Sequence, residues 1–351
     1  MALFLTLPLV AACGVSHAAT APVTSGSSGT PQASATASPS GVCWLPVFRF
    51  DTQANRGSGS FVSIPGGTLR QAAASDVAFE QATQKWRTAA QPYLYSTGPW
   101  ATYDPLAGRW VPAPAESISP DGLRYAYSEQ SPHNPSASDI RLVDVHIGSD
   151  QLLFTGPSAT GYDIVGFTGD GIYVVRGGPG SNGLWKLDLA GNATQVSTRP
   201  LKWTHVGGGA AWAARQNPDK PMVEQGGPIL DQVVRIDLAT GVITPWLTVS
   251  GQDLVPIGIT AAGDPIVISL GDQAIRIWLV TASNQSASVY SGPGRSSSSA
   301  LSWNGFNAVI ADSGQTWVGT NQGIFQLTTG ELAKVADVTA SLAGRCASSP
   351  R

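Results

Sequence analysis

One phrase recurs along the chain: an alternating apolar strand, a tight polar turn, and a second strand. It reads ATYDPLAGRWVP (101–112), RLVDVHIGSDQLLF (141–154), LWKLDLAGNATQVS (184–197), VVRIDLATGVITPWL (233–247), IRIWLVTASNQSASVY (275–290) and GIFQLTTGELAKVA (323–336). Apolar residues alternate within each copy, as in Trp185, Leu187 and Leu189, or Val234, Ile236 and Leu238, which is the two-residue period of a half-buried strand. The turn residues Gly108, Gly148, Gly191, Gly241, Asn284 and Gly330 stand 40, 43, 50, 43 and 46 residues apart. A period of ~40–50 residues with four short strands per unit is the size of a propeller blade, and such a blade is stable only against its neighbours.

A second marker falls between successive hairpins: ISPDGLRYAY (118–127), GFTGDGIYVV (166–175), GITAAGDPIVIS (258–269) and VIADSGQTWVG (309–319). Each is strand, Asp/Gly turn, strand. An Asp carboxylate accepts nearby backbone N–H groups in such turns, so Asp121, Asp170, Asp264 and Asp312 are read as turn residues. Composition agrees: charged residues are 12% of the chain, while Gly (40) and Pro (25) are abundant. The fold class expected is all-β, with antiparallel four-stranded blades.

SPDGLRYAYSE followed by IRLVDVHIGSDQLLF resembles the TolB-type, WD-related propeller repeat of exported bacterial proteins. Residues 61–110 are similar to kelch repeats, through Gly66-Gly67, Phe79 with Trp86, and Tyr103 with Trp110. ADSGQTWVGTNQGIFQL (311–327) resembles propeller repeats of two-component sensors. The resemblance covers most of 43–346 and implies architecture, not activity. It also extends to exported bacterial proteins with one cysteine at each end of the propeller. Five blades run from about Glu116 to Asp337, and residues 43–115 supply a sixth with 66–92 inserted. The insertion is either a hairpin, which could belong to a seventh blade, or a short helix with Phe79, Ala82 and Trp86 on one side. A ring brings its first and last blades together, so Cys43 and Cys346 are expected to form a disulfide at the seam after export.

Residues 1–12 (MALFLTLPLVAA) are too short to span a bilayer but fit the apolar core of a signal peptide. Val10-Ala11-Ala12-Cys13 is similar to a bacterial lipobox, which implies acylation of Cys13; the alternative is secretion with cleavage near Ala18. The first charged residue is Arg49, so the basic start of the signal is expected upstream of Met1. From Gly14 to Gly41, 24 of 28 residues are Ala, Ser, Thr, Gly or Pro. Such a segment has no core to bury. The organisation expected is thus signal peptide (1–12), lipidated cysteine and tether (13–42), propeller (43–346) and a short tail (347–351).

Net charge is −3 and no stretch is strongly basic, so a nucleic-acid partner is not expected. The chain has no Gly-x-Ser-x-Gly, no His-Glu-x-x-His and no Cys-x-x-Cys. Gly178–Gly183 spells Gly-x-Gly-x-x-Gly, but it joins two strands and offers no helix N-terminus to a pyrophosphate. No cofactor is expected. His17, His133 and His146 are read as solvated or hydrogen-bonded side chains. Candidate ligand contacts are Trp203, His205, Trp303 and Asn304 near the starts of inner strands, and Arg215, Lys220 and Glu224 in the long loop 214–231. The function expected is a membrane-tethered, non-catalytic propeller that binds a protein or an envelope glycan. The alternative is a metal-dependent hydrolase or lactonase with Asp163, His205, Asp253, Asn304 and Asn307 around a channel ion.

Overall fold

A computed structural model describes residues 42–348, except 52–55, 72–77, 81–84, 88–93, 96–100, 158–160, 177–182, 222, 225–226, 303–308, 313 and 329. The signal peptide, Cys13 and the tether therefore lie outside the described residues, as do Trp303, Asn304 and Asn307.

The repeats fold as antiparallel sheets. The third sheet is built in sequence order from Tyr162–Thr168, Gly171–Arg176, Leu184–Leu187 and Ala193–Ser197. The fourth uses Lys202–Gly207, Ala210–Arg215, Gln232–Asp237 and Ile243–Thr248. The fifth uses Asp253–Ile259, Pro265–Leu270, Ala274–Ala282 and Gln285–Pro293, and the sixth Val309–Asp312, Gln315–Thr320, Gly323–Leu327 and Leu332–Ala336. The second sheet has three strands, Arg124–Gln130, Ser138–Asp144 and Asp150–Gly156. Its innermost position is taken by a 3-10 turn, Ala115–Ser117, and by Ile118, which bridges to Tyr125. Pro112 and Pro114 have no N–H to give a ladder, which is why no regular strand forms here.

The first sheet departs from the expected order. Its strands Leu69–Gln71, Arg56–Ile64 and Cys43–Asp51 are completed by Ser341–Leu342 from the other end of the chain. Val47 pairs with Leu342, and Trp44 and Ala347 exchange backbone hydrogen bonds of 3.0 Å in both directions. The Cys43–Cys346 disulfide lies beside this pairing, with the two Cα atoms 5.3 Å apart. The expected bridge is present, and strand exchange that the sequence pattern did not announce accompanies it. Phe79 pairs with Trp86 in the backbone register of the antiparallel strands Ala78–Glu80 and Lys85–Arg87, so these parts of the insertion are strand and not helix. The hairpin Thr102–Asp104/Arg109–Val111, expected within the first blade, is a separate pair whose Tyr103 bridges in parallel to Gly344.

Alternation along the strands sends neighbouring side chains to opposite faces, and the faces meet around a closed circle. Leu45, Val47 and Val62 of the first sheet pack on Ile310, Trp317 and Ile324 of the sixth. From its other face Phe48 and Phe61 pack, with Tyr103 and Trp110 of the hairpin, on Tyr125, Tyr127 and Val143 of the second. Ile140 and Leu142 then meet Ile172 and Val174, and Tyr173 and Val175 meet Ala211 and Val234. Trp212 and Val233 meet Leu254 and Val267, and Ile266 and Ile277 meet Val318. Each sheet is thus buried on both faces by the sheets before and after it. The chain is an all-β propeller.

The turns follow the local sequence. All six turn residues named above have positive φ, from 58° to 87°, and Asn284 is the only non-glycine among the described residues to do so. Four hairpins share one device: the Oδ1 atoms of Asp104, Asp144, Asp188 and Asp237 accept backbone N–H groups two to four residues on. Those bonds hold the Asp144 and Asp237 carboxyls below the usual range, and the Asn192 side-chain amide, donating to Oδ2 at 2.8 Å, leads the same lowering at Asp188. Asp121 accepts from Ser119 Oγ and Leu123 N and so bonds its own turn, as expected. Asp170 stands in a turn but accepts from the side chains Tyr173 Oη and Lys186 Nζ instead of from backbone N–H groups.

Candidate site: an axial cavity

The inner segments converge on a cavity of about 400 Å³ at the ring axis. The second to sixth sheets contribute to it, the second through residues 115–120 ahead of its first strand, together with the Thr102–Val111 hairpin and residues 344–345. The lining comes from the later halves of the inner strands and the turns after them, such as Phe167, Gly208, Thr260 and Ala311. The loop 214–231 joins the second and third strands of its sheet, so antiparallel order puts it at the other end of the ring, where inner strands begin.

His205 reaches the cavity because of a bulge. The inner strands of the third, fourth and fifth sheets each slip register once, between Ile164 and Gly166, Trp203 and His205, and Pro256 and Gly258. A bulge re-aims the residue that follows it. At that position two sheets carry glycine, and a Cβ on either would collide with Val206 or Val309 of the next sheet. The fourth sheet carries His205 there. Its Nδ1 is buried without a hydrogen-bond partner, and burial pushes the imidazole down to about 4, so the ring is neutral at pH 7.

Glu116 faces the same cavity from the 3-10 turn of the second sheet. The protein around it disfavours the charged form and pushes its pKa up to about 7, against a weaker opposing bond from its own backbone. No salt bridge to it is formed among the described residues. Arg345, next to Cys346 in the seam, lines the cavity as an exposed side chain and likewise makes no ion pair among the described residues. Asp104 also lines it, with Oδ1 occupied by the Leu106 and Ala107 N–H groups at 2.7 and 3.3 Å.

The expected site residues are dispersed. Trp203 is 4% exposed and packs with Val165, Tyr173 and Val206 between the third and fourth sheets, so packing and not ligand contact accounts for it. Arg215 donates from Nε to Gln232 Oε1 at 2.7 Å. Lys220 is exposed, and Glu224 lies in a two-stranded hairpin, Val223–Glu224 with Gly227–Pro228. The base of that loop is pinned by Asp231, fully buried, whose Oδ1 accepts Asn217 N at 2.8 Å.

Of the channel-ion ligands expected, His205 alone among the described residues lines the cavity. Asp163 is exposed near the opposite end of its strand. Asp253 accepts Leu230 N at 3.0 Å and lies 3.5 Å from Arg295 Nη1, so it ties loops together. Among the described residues no three His, Cys, Asp or Glu side chains are grouped as metal ligands. Glu116 and Arg345 escaped the sequence reading. Nothing local marks Glu116 as facing the axis, whereas Thr204-His205-Val206 standing where sister repeats read Val165-Gly166-Phe167 and Ile257-Gly258-Ile259 was a usable signal for His205.

No protein-family model matches the chain, and no curated protein matches it. Among solved structures it is similar to the β-propeller domain of the Trilobed protease from Pyrococcus furiosus, at 9% identity over 85% of this chain and 84% of that one, with TM-score 0.43. It is similar to an acylaminoacyl peptidase from Pyrococcus horikoshii, at 8% identity and TM-score 0.44, over 84% of this chain and 46% of that one. The chain spans about half the length of that peptidase. TolB from Acinetobacter baumannii is similar at 12% identity and TM-score 0.39, over 87% of this chain and 67% of that one. Likenesses of this degree carry no inference about ligand or activity, and the propeller architecture stands on the sheet pairing and the ring of packed faces.

Proposed function

We propose that the chain is an exported, membrane-tethered propeller that binds a protein or glycan of the cell envelope without chemical conversion. In this reading it has six blades, Cys13 carries the lipid, residues 14–42 are the spacer, and the Thr102–Val111 hairpin is wedged at the seam. The observation that carries the reading is the Cys43–Cys346 disulfide, since a bond of this kind persists in an oxidising compartment outside the cytoplasm. The paired segments Val223–Glu224 and Gly227–Pro228, on a base pinned by Asp231, are the surface offered to the partner.

Two measurements test the two halves of the proposal. Cys13→Ala should move the protein from the membrane to the soluble extracytoplasmic fraction, and unchanged membrane retention would refute the lipid anchor. Crosslinking in intact envelopes should give one dominant adduct that is lost when 223–228 is replaced by Gly-Ser residues. An adduct indifferent to that replacement would remove the loop from the proposal.

A further inference from the structure

We propose that the axial cavity is a receptor for a small zwitterion, a short peptide with free termini, whose ammonium group meets Glu116 and whose carboxylate meets Arg345. This site is independent of the partner surface at the other end of the ring.

Two groups of opposite charge face one cavity and make no ion pair with each other or with any other described residue. An acid with no donor beyond its own backbone gains more from an incoming ammonium than one already hydrogen-bonded. The guanidinium at the rim, with its planar fork of donors, matches a carboxylate. Val165, Phe167, Ile259 and Val309 give the cavity an apolar wall, and Gly208 and Gly263 present backbone without side chains. At about 400 Å³ the space falls within the ~300–1,000 Å³ range of small-ligand sites. His205 stays neutral and contributes no competing charge. The remaining ionisable groups on the lining are Tyr103 and Asp104, and Asp104 is engaged by its own turn.

Binding an ammonium favours ionised Glu116, whose proton passes to the buffer. Affinity should therefore be on the order of tenfold weaker at pH 5.5 than at 7.5, as Glu116 is protonated on acidification.

The test is isothermal titration of the full-length, detergent-solubilised protein with Leu-Leu, N-acetyl-Leu-Leu and Leu-Leu amide. Leu-Leu should bind, and each capped peptide should bind at least tenfold more weakly. Glu116→Gln should erase the difference between free and acetylated peptide, and Arg345→Gln the difference between free and amidated peptide. Equal binding of all three peptides by the wild type, or no binding of Leu-Leu at pH 7.5, overturns the proposal without reference to any variant's folding. Neither result bears on the crosslinking adduct, so the two proposals fail separately.

Discussion

Breaking the seam covalently, by Cys43→Ser with Cys346→Ser, isolates what the closure contributes. The two cysteines are 303 residues apart, so the crosslink closes almost the whole folded chain into one loop. The loop-entropy relation gives roughly 5–6 kcal/mol for such a loop, an upper bound because the denatured chain retains some structure. With an unfolding entropy of ~2.1 cal/mol/K per residue over about 300 residues, that corresponds to a fall in Tm of about 9 °C at most. The pairing of Val47 with Leu342, the paired bonds between Trp44 and Ala347, and the bond from Arg49 Nη2 to Thr339 O at 3.2 Å still join the ends. The variant should therefore fold, with a native ring and a looser seam. Urea unfolding followed by tryptophan fluorescence should show a lower midpoint and a larger m-value, because the unfolded chain is no longer cyclised. Hydrogen exchange should quicken first at 43–51 and 341–347. A midpoint within error of the wild type, with exchange unchanged at those strands, would falsify the account of the closure.

Three further outcomes are expected. Asn284 holds φ of 58° in its hairpin, so Asn284→Gly should leave stability nearly unchanged while Asn284→Ala costs about 1 kcal/mol, read from urea midpoints; equal effects would refute the conformational reason for this residue. Glu116 has a raised pKa when folded, so its effect is to lower stability as pH rises from 4.5 toward 7, and His205, depressed to about 4, lowers stability as pH falls from 6.5 toward 4. The slopes oppose each other, so Glu116→Gln should expose a loss on acidification and His205→Gln a loss on alkalinisation; parallel urea-midpoint profiles for wild type and both variants would sink this. Asp231→Ala should cost about 1–3 kcal/mol by leaving the buried Asn217 N–H unpaired, and should raise proteolysis within 216–230; a cleavage pattern identical to wild type would show that Asp231 does not hold the loop.

Much of the fold was legible locally. The alternating copies and their turn residues told where hairpins lie, because strand faces and positive φ are decided within a few residues. The ring followed from the period, and the Cys43–Cys346 pair from the ring. The C-terminal strand is another matter: Ser341–Leu342 is two residues long and shows no alternation, so only its partner at Val47 makes it a strand. Trp203 failed as a ligand candidate for a similar reason, since proximity to an inner strand's start does not say which way a ring points, and a bulge one residue later decides it.

By itself the sequence determined the repeat, its turns and the two cysteines that have to meet, since each depends on short-range conformational preference or on the count of blades. Tertiary structure alone decided that Glu116, His205 and Arg345 share one cavity. They come from parts of the chain 89 and 140 residues apart, and they share that space only because the inner segments of successive sheets turn toward the same axis.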